Sequence, residues 1–359
     1  MAEFSSKNVH AGQTASIWMT TATIPDRFPL TENLHADVCV VGAGIAGLTV
    51  AYLLAREKKL VVVLETAQIG AGMTQRTTAH LTNAIDDRYY EIERLHGENG
   101  ARLAAQSHTV AIDQIEAIAA TEGIDCEFER LEGYLFLSPE ESAEDLEREL
   151  KAAHRAGLIT VEQLERAPIE SFDTGKCLRF PQQAQFHPLK YLSGLSRAIE
   201  RYGGRIFTGT HVETTENGSR VRVETNTGHS VTADAVVFAT NTPINNRFAI
   251  HTKQASYTTY VIGARVPRDS VPHALYWDTG DPYHYIRVES ISSQNGADYD
   301  VLIVGGEDHK TGQADDGAAR HAQLETWARQ RFPMIENIIF QWSGQVMESN
   351  DGLAFIGRN

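Results

Sequence analysis

Apolar positions along this chain fall into short unbroken runs and into helical repeats, and the two kinds alternate. Val38-Cys39-Val40-Val41 and Leu60 to Leu64 read as buried parallel strands, and Ile45 to Ala55 between them reads as an amphipathic helix. From Arg88 to Glu122 the spacing of Ile92, Leu95, Leu103, Val110, Ile112, Ile115 and Ile118 predicts helices, with Gly123 as the stop. Residues 126–138 turn to a strand pattern, and 139–158 predict a solvated helix with Leu146 and Leu150 facing inward. Pro188 opens a helix with Tyr191, Leu192, Leu195 and Ile199 on its apolar face, and Gly203-Gly204 ends it before a strand over 205–212. A hairpin over 220–242 follows, its last strand ending in Thr and Asn, so that 205–212 and 234–240 join the first two strands in one sheet. Residues 277–290 predict another strand, paired with 301–312. The first 35 residues are polar, carry Pro25 and Pro29, and form an arm in which Ser16 to Arg27 can dock on the body.

Between the first strand and its helix stand Gly42, Gly44 and Gly47, the spacing of a dinucleotide-binding turn. Gly42 suits a tight turn, Gly44 leaves the backbone open to a pyrophosphate, and Gly47 lets the helix lie close on the strand. The helix start then presents unpaired N–H groups and its positive dipole end to the phosphates. Glu65 ends the second strand, where an acid accepts hydrogen bonds from adenosine ribose hydroxyls and repels a 2′-phosphate, which argues against NADP. Residues 66–87 form a long loop of Gly, Thr and small residues where a simple NAD domain would pass straight into its next helix.

The chain of 359 residues has room for two domains, and 42% hydrophobic residues suffice for a packed core. Lys and Arg total 32 against 47 Asp and Glu, a net charge of −15 that disfavours nucleic acid or an anionic membrane as partner. The start lacks a basic stretch followed by an apolar one, and no later segment offers the ~18 apolar residues of a membrane span, so a cytoplasmic protein is expected. Cys39, Cys126 and Cys177 lack CxxC spacing, which indicates neither a disulfide framework nor a zinc site, and no metal is expected.

The first βαβ unit with Glu65, the loop GAGMTQRTTAH, the HPLKYLSGL helix, the strand ending FATNT and the terminal DGLAFIGR together resemble the FAD-dependent D-amino-acid oxidase family, which includes glycine and sarcosine oxidases. The resemblance is nearest to a bacterial branch whose members often carry a C-terminal Rieske domain. It implies an α/β fold: a discontinuous Rossmann-like FAD-binding domain (36–90, 186–245 and 345–359) and an α+β substrate domain on an antiparallel sheet (91–185 and 246–344). It also implies FAD lying extended, with Gly42, Gly44, Ile45, Ala46 and Gly47 at the pyrophosphate and Glu65 with Thr66 at the adenosine. Thr74, Arg76, Thr77, Thr78 and Ala79 match the family loop under the diphosphate, ribityl chain and flavin ring. Val212 matches the residue whose backbone contacts adenine, and Ala239 and Thr240 match the strand end beside the phosphate. Two departures stand out: Ala354 replaces the proline of the family's DGLPxIG, and the chain stops at Asn359, where relatives continue into a strand and a glycine-rich helix start beside the flavin. A truncated C-terminal part is therefore expected, and the three cysteines cannot build a Rieske centre.

Flavin oxidation of an amine moves a hydride from the carbon next to nitrogen to the flavin N5, so the protein mainly positions substrate and excludes water. Period-2 alternation puts Tyr283, Tyr285 and Arg287 on one face of their strand, and Tyr285 and Arg287 are the candidates for the substrate side. His80 closes the flavin loop and is the third catalytic candidate, whereas His187, before a proline, reads as a cap or packing residue. Asp308, His309 and Lys310 read as a turn after Gly305-Gly306. The resulting expectation is an FAD-dependent oxidoreductase acting on a C–N bond of an amine or amino acid, with O₂ or an iron–sulfur or quinone partner as electron acceptor. The alternatives are a monooxygenase reduced by NAD(P)H and an electron-transfer subunit paired with an iron–sulfur protein.

Overall fold

The computed structural model describes residues 14–138, 142–242, 253–292 and 298–357. In chain order the first half runs α1 (Ile17–Thr21), β1 (Leu34–Val41), α2 (Ile45–Arg56), β2 (Val61–Leu64), β3 (His80–Leu81), α3 (Tyr89–Glu122), β4 (Glu129–Phe136), α4 (Ala143–Arg155), β5 (Glu162–Leu164) and β6 (Cys177–Gln185). The second half runs α5 (Pro188–Arg201), β7 (Arg205–Phe207), β8 (Val212–Glu216), β9 (Val221–Thr225), β10 (Ser230–Phe238), β11 (Gln254–Pro267), β12 (Leu275–Asp278), β13 (His284–Ile291), β14 (Tyr299–Lys310), α6 (Gly317–Arg331) and β15 (Ile338–Ser349).

Two sheets organise these elements. The first has the order β7-β2-β1-β10-β9-β8, with β1, β2, β7 and β10 parallel and β8 and β9 added antiparallel. All four residues of β2 are buried, as an unbroken apolar run in a covered sheet requires. The second sheet runs β15-β11-β14-β13-β12-β4-β6-β3 with β5 beside β6, and is antiparallel except where β12 meets β4. One core joins the two sheets: Val40, Val63, Leu48 and Tyr52 pack in the same cluster as Leu192 and Leu195 of α5 and Val261, Val301, Ile303 and Trp342 of the second sheet. The mixed α/β class agrees with the sequence, and the first sheet draws its strands from segments far apart along the chain.

Some boundaries differ. The strand expected over 205–212 breaks, because Gly209 takes a φ of 60° and β7 and β8 then serve opposite ends of the sheet. The strand expected over 277–290 is a hairpin: the chain turns at Thr279 to Tyr283 and β12 pairs back on β13. Asp308, His309 and Lys310 lie within β14 rather than in a turn. Residues 345–349, placed with the FAD-binding segments by sequence, extend β15 along β11. Gly97, at φ 72°, breaks the long α3, and Gly123 ends it in the left-handed conformation as expected. Ile17 and Trp18 of the arm are fully buried. Residues 139–141 and 243–245, which fall in a predicted helix and a predicted domain edge, lie outside the described residues.

Candidate cofactor and substrate site

Each glycine of the turn has its own reason. Gly42 sits at φ 104°, and a Cβ there would lie 2.6 Å from the Ala239 carbonyl oxygen. A Cβ on Gly47 would lie 1.9 Å from the Gly42 oxygen, so α2 rests on the turn only because that side chain is absent. Gly44 is different: its φ of −79° suits any residue, and a Cβ would touch only the Thr74 hydroxyl at 3.2 Å. Its bareness keeps an open cradle at the start of α2. The Ile45 amide there donates to Thr74 Oγ1 at 3.2 Å, while the amides of Ala46 and Gly47 meet no acceptor among the described residues. Two free N–H groups at a helix start, beside a position that a Cβ would fill, fit a diphosphate.

Glu65 closes the other side. Its carboxylate accepts from the Ala43 amide at 2.7 Å and the Ala67 amide at 2.9 Å, which ties the glycine turn to the end of β2 and leaves its outer lone pairs for ribose hydroxyls. Thr66 Oγ1 pairs with His211 Nδ1 at 3.0 Å, next to Val212, which is buried opposite Thr225. The Ala239 amide donates to Val41 and Thr240 follows, so the end of β10 adjoins the glycine turn.

The loop from Thr74 to His80 is held largely by its carbonyls. The Gln75 oxygen accepts from Ser16 Oγ at 2.6 Å, the Arg76 oxygen from Trp342 Nε1 at 2.9 Å and the Thr77 oxygen from Trp18 Nε1 at 2.6 Å. Thr78 and Ala79 present their oxygens to Arg287 Nη1 at 3.2 and 3.3 Å. Five consecutive carbonyls facing the protein body turn side chains such as the exposed Thr77 the other way. Thr77 Oγ1 accepts from the Ala79 amide, and Ala79 itself sits at φ 61°. Arg76 is buried and donates to the Thr14 and Ser343 carbonyls.

The loop delivers His80 to the face of β13. Its ring meets Tyr285 edge-on with centroids 5.8 Å apart. Because the Ile286 carbonyl 3.2 Å from Nε2 can only accept, Nε2 carries the proton and Nδ1 accepts from the Thr78 hydroxyl at 3.1 Å. Burial, with Arg287 nearby, pushes the imidazole down to about 3, so it stays neutral with both nitrogens engaged. Arg287 also differs from the open guanidinium fork that a substrate carboxylate wants. Only 1% exposed, it donates to the Thr78, Ala79 and Phe186 carbonyls, pairs with Glu289 and lies over Trp18.

Tyr285 is half-buried. Its hydroxyl lies 2.7 Å from Thr259 Oγ1, its ring is 5.5 Å from that of Tyr283, and it covers Gly305, where a Cβ would fall 2.1 Å from the ring. Asp86, Asp308 and Glu348 act on Tyr283, whose phenol burial and these charges push far up. Asp86 is reachable by solvent, yet enclosing protein raises its carboxyl, as the wall of a deep cleft requires. His187 caps α5 by accepting from the Lys190 amide at 3.3 Å. Asp269, His273 and Asp300 bring ligand atoms within 4.8 Å, but Arg268 Nη1 stands 3.3 Å from Asp300 Oδ1 and supplies the positive charge there.

Sequence reasoning missed Ser16, Trp18 and Trp342 as loop holders, since indoles in an arm and at a sheet edge read as core. Asp308 was hidden by a local irregularity of β14 described below.

Glycine turn, acid and carbonyl-held loop define a class: an oxidoreductase with a Rossmann-type site for an extended flavin dinucleotide. The chain belongs to the DAO family of FAD dependent oxidoreductases, whose sequence model matches residues 37–359, and its cofactor is FAD. It is 30% identical over 341 residues to the "Putative Rieske 2Fe-2S iron-sulfur protein YhfW" of Bacillus subtilis, covering 95% of this chain and 65% of that protein. It is 29% identical over 223 residues to gamma-glutamylputrescine oxidoreductase of Escherichia coli, covering 61% of this chain and 52% of that one. The chain thus spans between half and two thirds of these relatives. Glycine oxidase from Geobacillus kaustophilus superposes with a TM-score of 0.73 at 20% identity, over 91% of this chain and 86% of the other, which shows the shared fold. No helix among the described residues is long and apolar enough to cross a membrane.

Proposed function

We propose that this chain oxidises the carbon–nitrogen bond of an amine or amino acid. The observation that carries the reading is the junction of His80 with Tyr285, where the FAD-binding loop runs directly into a tyrosine-lined cleft. Bound FAD supplies a two-electron acceptor at its N5, to which a hydride passes from the carbon next to nitrogen. The protein's own contribution is positional. The carbonyl-held loop fixes the flavin side, Tyr283 and Tyr285 wall the substrate side, and neutral His80 adds no competing charge between them. The substrate nitrogen must be neutral to release hydride, and water then completes hydrolysis of the resulting iminium to a carbonyl compound and ammonia or an amine. Anaerobic mixing with a panel of amines and amino acids tests this. Bleaching of the flavin spectrum by one class supports it, and bleaching by NAD(P)H alone would instead indicate a monooxygenase.

A second reading concerns the acceptor. Because the relative from Bacillus subtilis is named for a Rieske centre, electrons would leave the flavin to an iron–sulfur centre. Slow reoxidation by O₂ with fast reduction of an artificial acceptor supports it, and stoichiometric H₂O₂ opposes it.

A further inference from the structure

β14 carries a two-for-one bulge at the cleft. Thr258 pairs with His309 and Tyr260 with Gly306, so Glu307 and Asp308 together oppose Thr259. Gly305 lies on the Tyr285 face and Gly306 on the His284 face, where a Cβ would come 3.1 Å from His284 Cδ2. Regular alternation would next send Glu307 to the Tyr285 face and Asp308 away from it. The bulge reverses this. Glu307 takes a φ of 58° and its carboxylate lies 3.6 Å from His284 Nε2, while the charges of Asp308 act on Tyr285 and its carboxyl meets Thr259. A strained non-glycine residue is therefore held in place so that a carboxylate faces the cleft. Asp308 Oδ1 is buried there with no hydrogen-bond partner.

The charges around it are mostly negative. Asp86 and Glu307 act to raise the carboxyl of Asp308, and the imidazole of His284 opposes them. Burial raises the carboxyl of Glu348 across the cleft, and Asp87, Asp308 and Asp86 add to it. Arg88 acts on Asp86 and Asp87, and Arg287 is engaged by Glu289 and three carbonyls. Among the described residues Arg287 is thus no open cationic fork for a substrate carboxylate, and the cleft offers an unsatisfied carboxylate oxygen beside two tyrosine rings, a combination that favours an ammonium group.

We propose that Asp308 sets the substrate class of this cleft by receiving an ammonium group of a diamine or polyamine, the neutral second amine being the one oxidised. This rests on reading the cleft as the substrate site of an amine-oxidising flavoprotein. The test is calorimetric titration of the full chain at about pH 8, where an aspartate is ionised, with and without FAD, using diaminobutane and aminobutanoate of equal chain length, and glycine. Diaminobutane binds at least about tenfold more tightly than aminobutanoate or glycine. Asp308→Asn loses that preference while its FAD content, read from visible absorbance, and its circular dichroism stay as in the parent. Asp308→Glu keeps it. Equal affinity for aminobutanoate, or an Asp308→Asn protein that binds diaminobutane like the parent, overturns the proposal. Failure to take up FAD strikes the flavin reading of the cleft instead, and Asp308-dependent diamine binding is read separately in the titration without FAD.

Discussion

Asp308 is held with its carboxyl raised from 3.8 to about 6, chiefly by burial, with Asp86 and Glu307 adding to the shift and Thr259 and His284 opposing it. A carboxyl raised in the folded state contributes stability that is complete below its unfolded value and is lost as pH climbs through about 6. Asp308→Asn does not ionise and escapes that loss. The variant should equal the parent in urea unfolding near pH 4 and exceed it by about 1–2 kcal/mol at pH 8, after allowing for solvent screening of a half-buried group. A constant difference across that range would mean that Asp308 titrates normally. Gly44 makes the opposite kind of prediction. Its backbone accepts valine without strain, so Gly44→Val should keep its melting temperature and lose FAD, seen as a colourless protein after mixing with the cofactor.

The loop from Thr74 to His80 draws its shape from three distant elements: Ser16 and Trp18 at α1, Arg287 on β13 and Trp342 on β15. Arg287 belongs to this support. Arg287→Met leaves Glu289 buried without its partner and three carbonyls without a donor, so it should cost about 3–5 kcal/mol in urea unfolding. Adding Glu289→Leu should recover a large part, because the stranded charge goes with it. A residue whose only task was to grip substrate would instead weaken catalysis with unfolding unchanged. The sequence made the loop legible through its Thr and Gly content, and it made the alternation of Tyr283, Tyr285 and Arg287 legible through the period of a strand. What it could not carry was the bulge. A single extra residue reverses every inward position after it, and Glu307 in a left-handed conformation has no signature in a run such as Gly-Gly-Glu-Asp-His. The carbonyl partners of Arg287 were equally invisible, since they lie about a hundred or more positions away.

The two sheets share one cluster, in which Val40 and Val63 meet Val301, Ile303 and Trp342 through α2 and α5. Such a core couples the halves, so tryptophan emission and far-ultraviolet circular dichroism should report coincident unfolding in urea. Two separated transitions would show that the sheets melt independently. At this scale the βαβ start, the return of β7 and β10 to the first sheet and the family itself were legible, because short apolar runs and glycine spacing encode them directly. The partner strands of β11 and the loop carbonyl that Trp18 meets depended on contacts between remote segments and were not, although the docking of the arm itself was expected. The placement of Trp18 and Trp342, each with its indole N–H on the cofactor loop, gives the molecule an optical gauge of its own. With FAD bound along the loop as proposed, two of its four tryptophans would stand beside the flavin, and excitation energy would pass from them to the isoalloxazine. Loading with FAD should dim the ultraviolet emission in step with occupancy, and changing Trp18 and Trp342 to phenylalanine should remove most of that response.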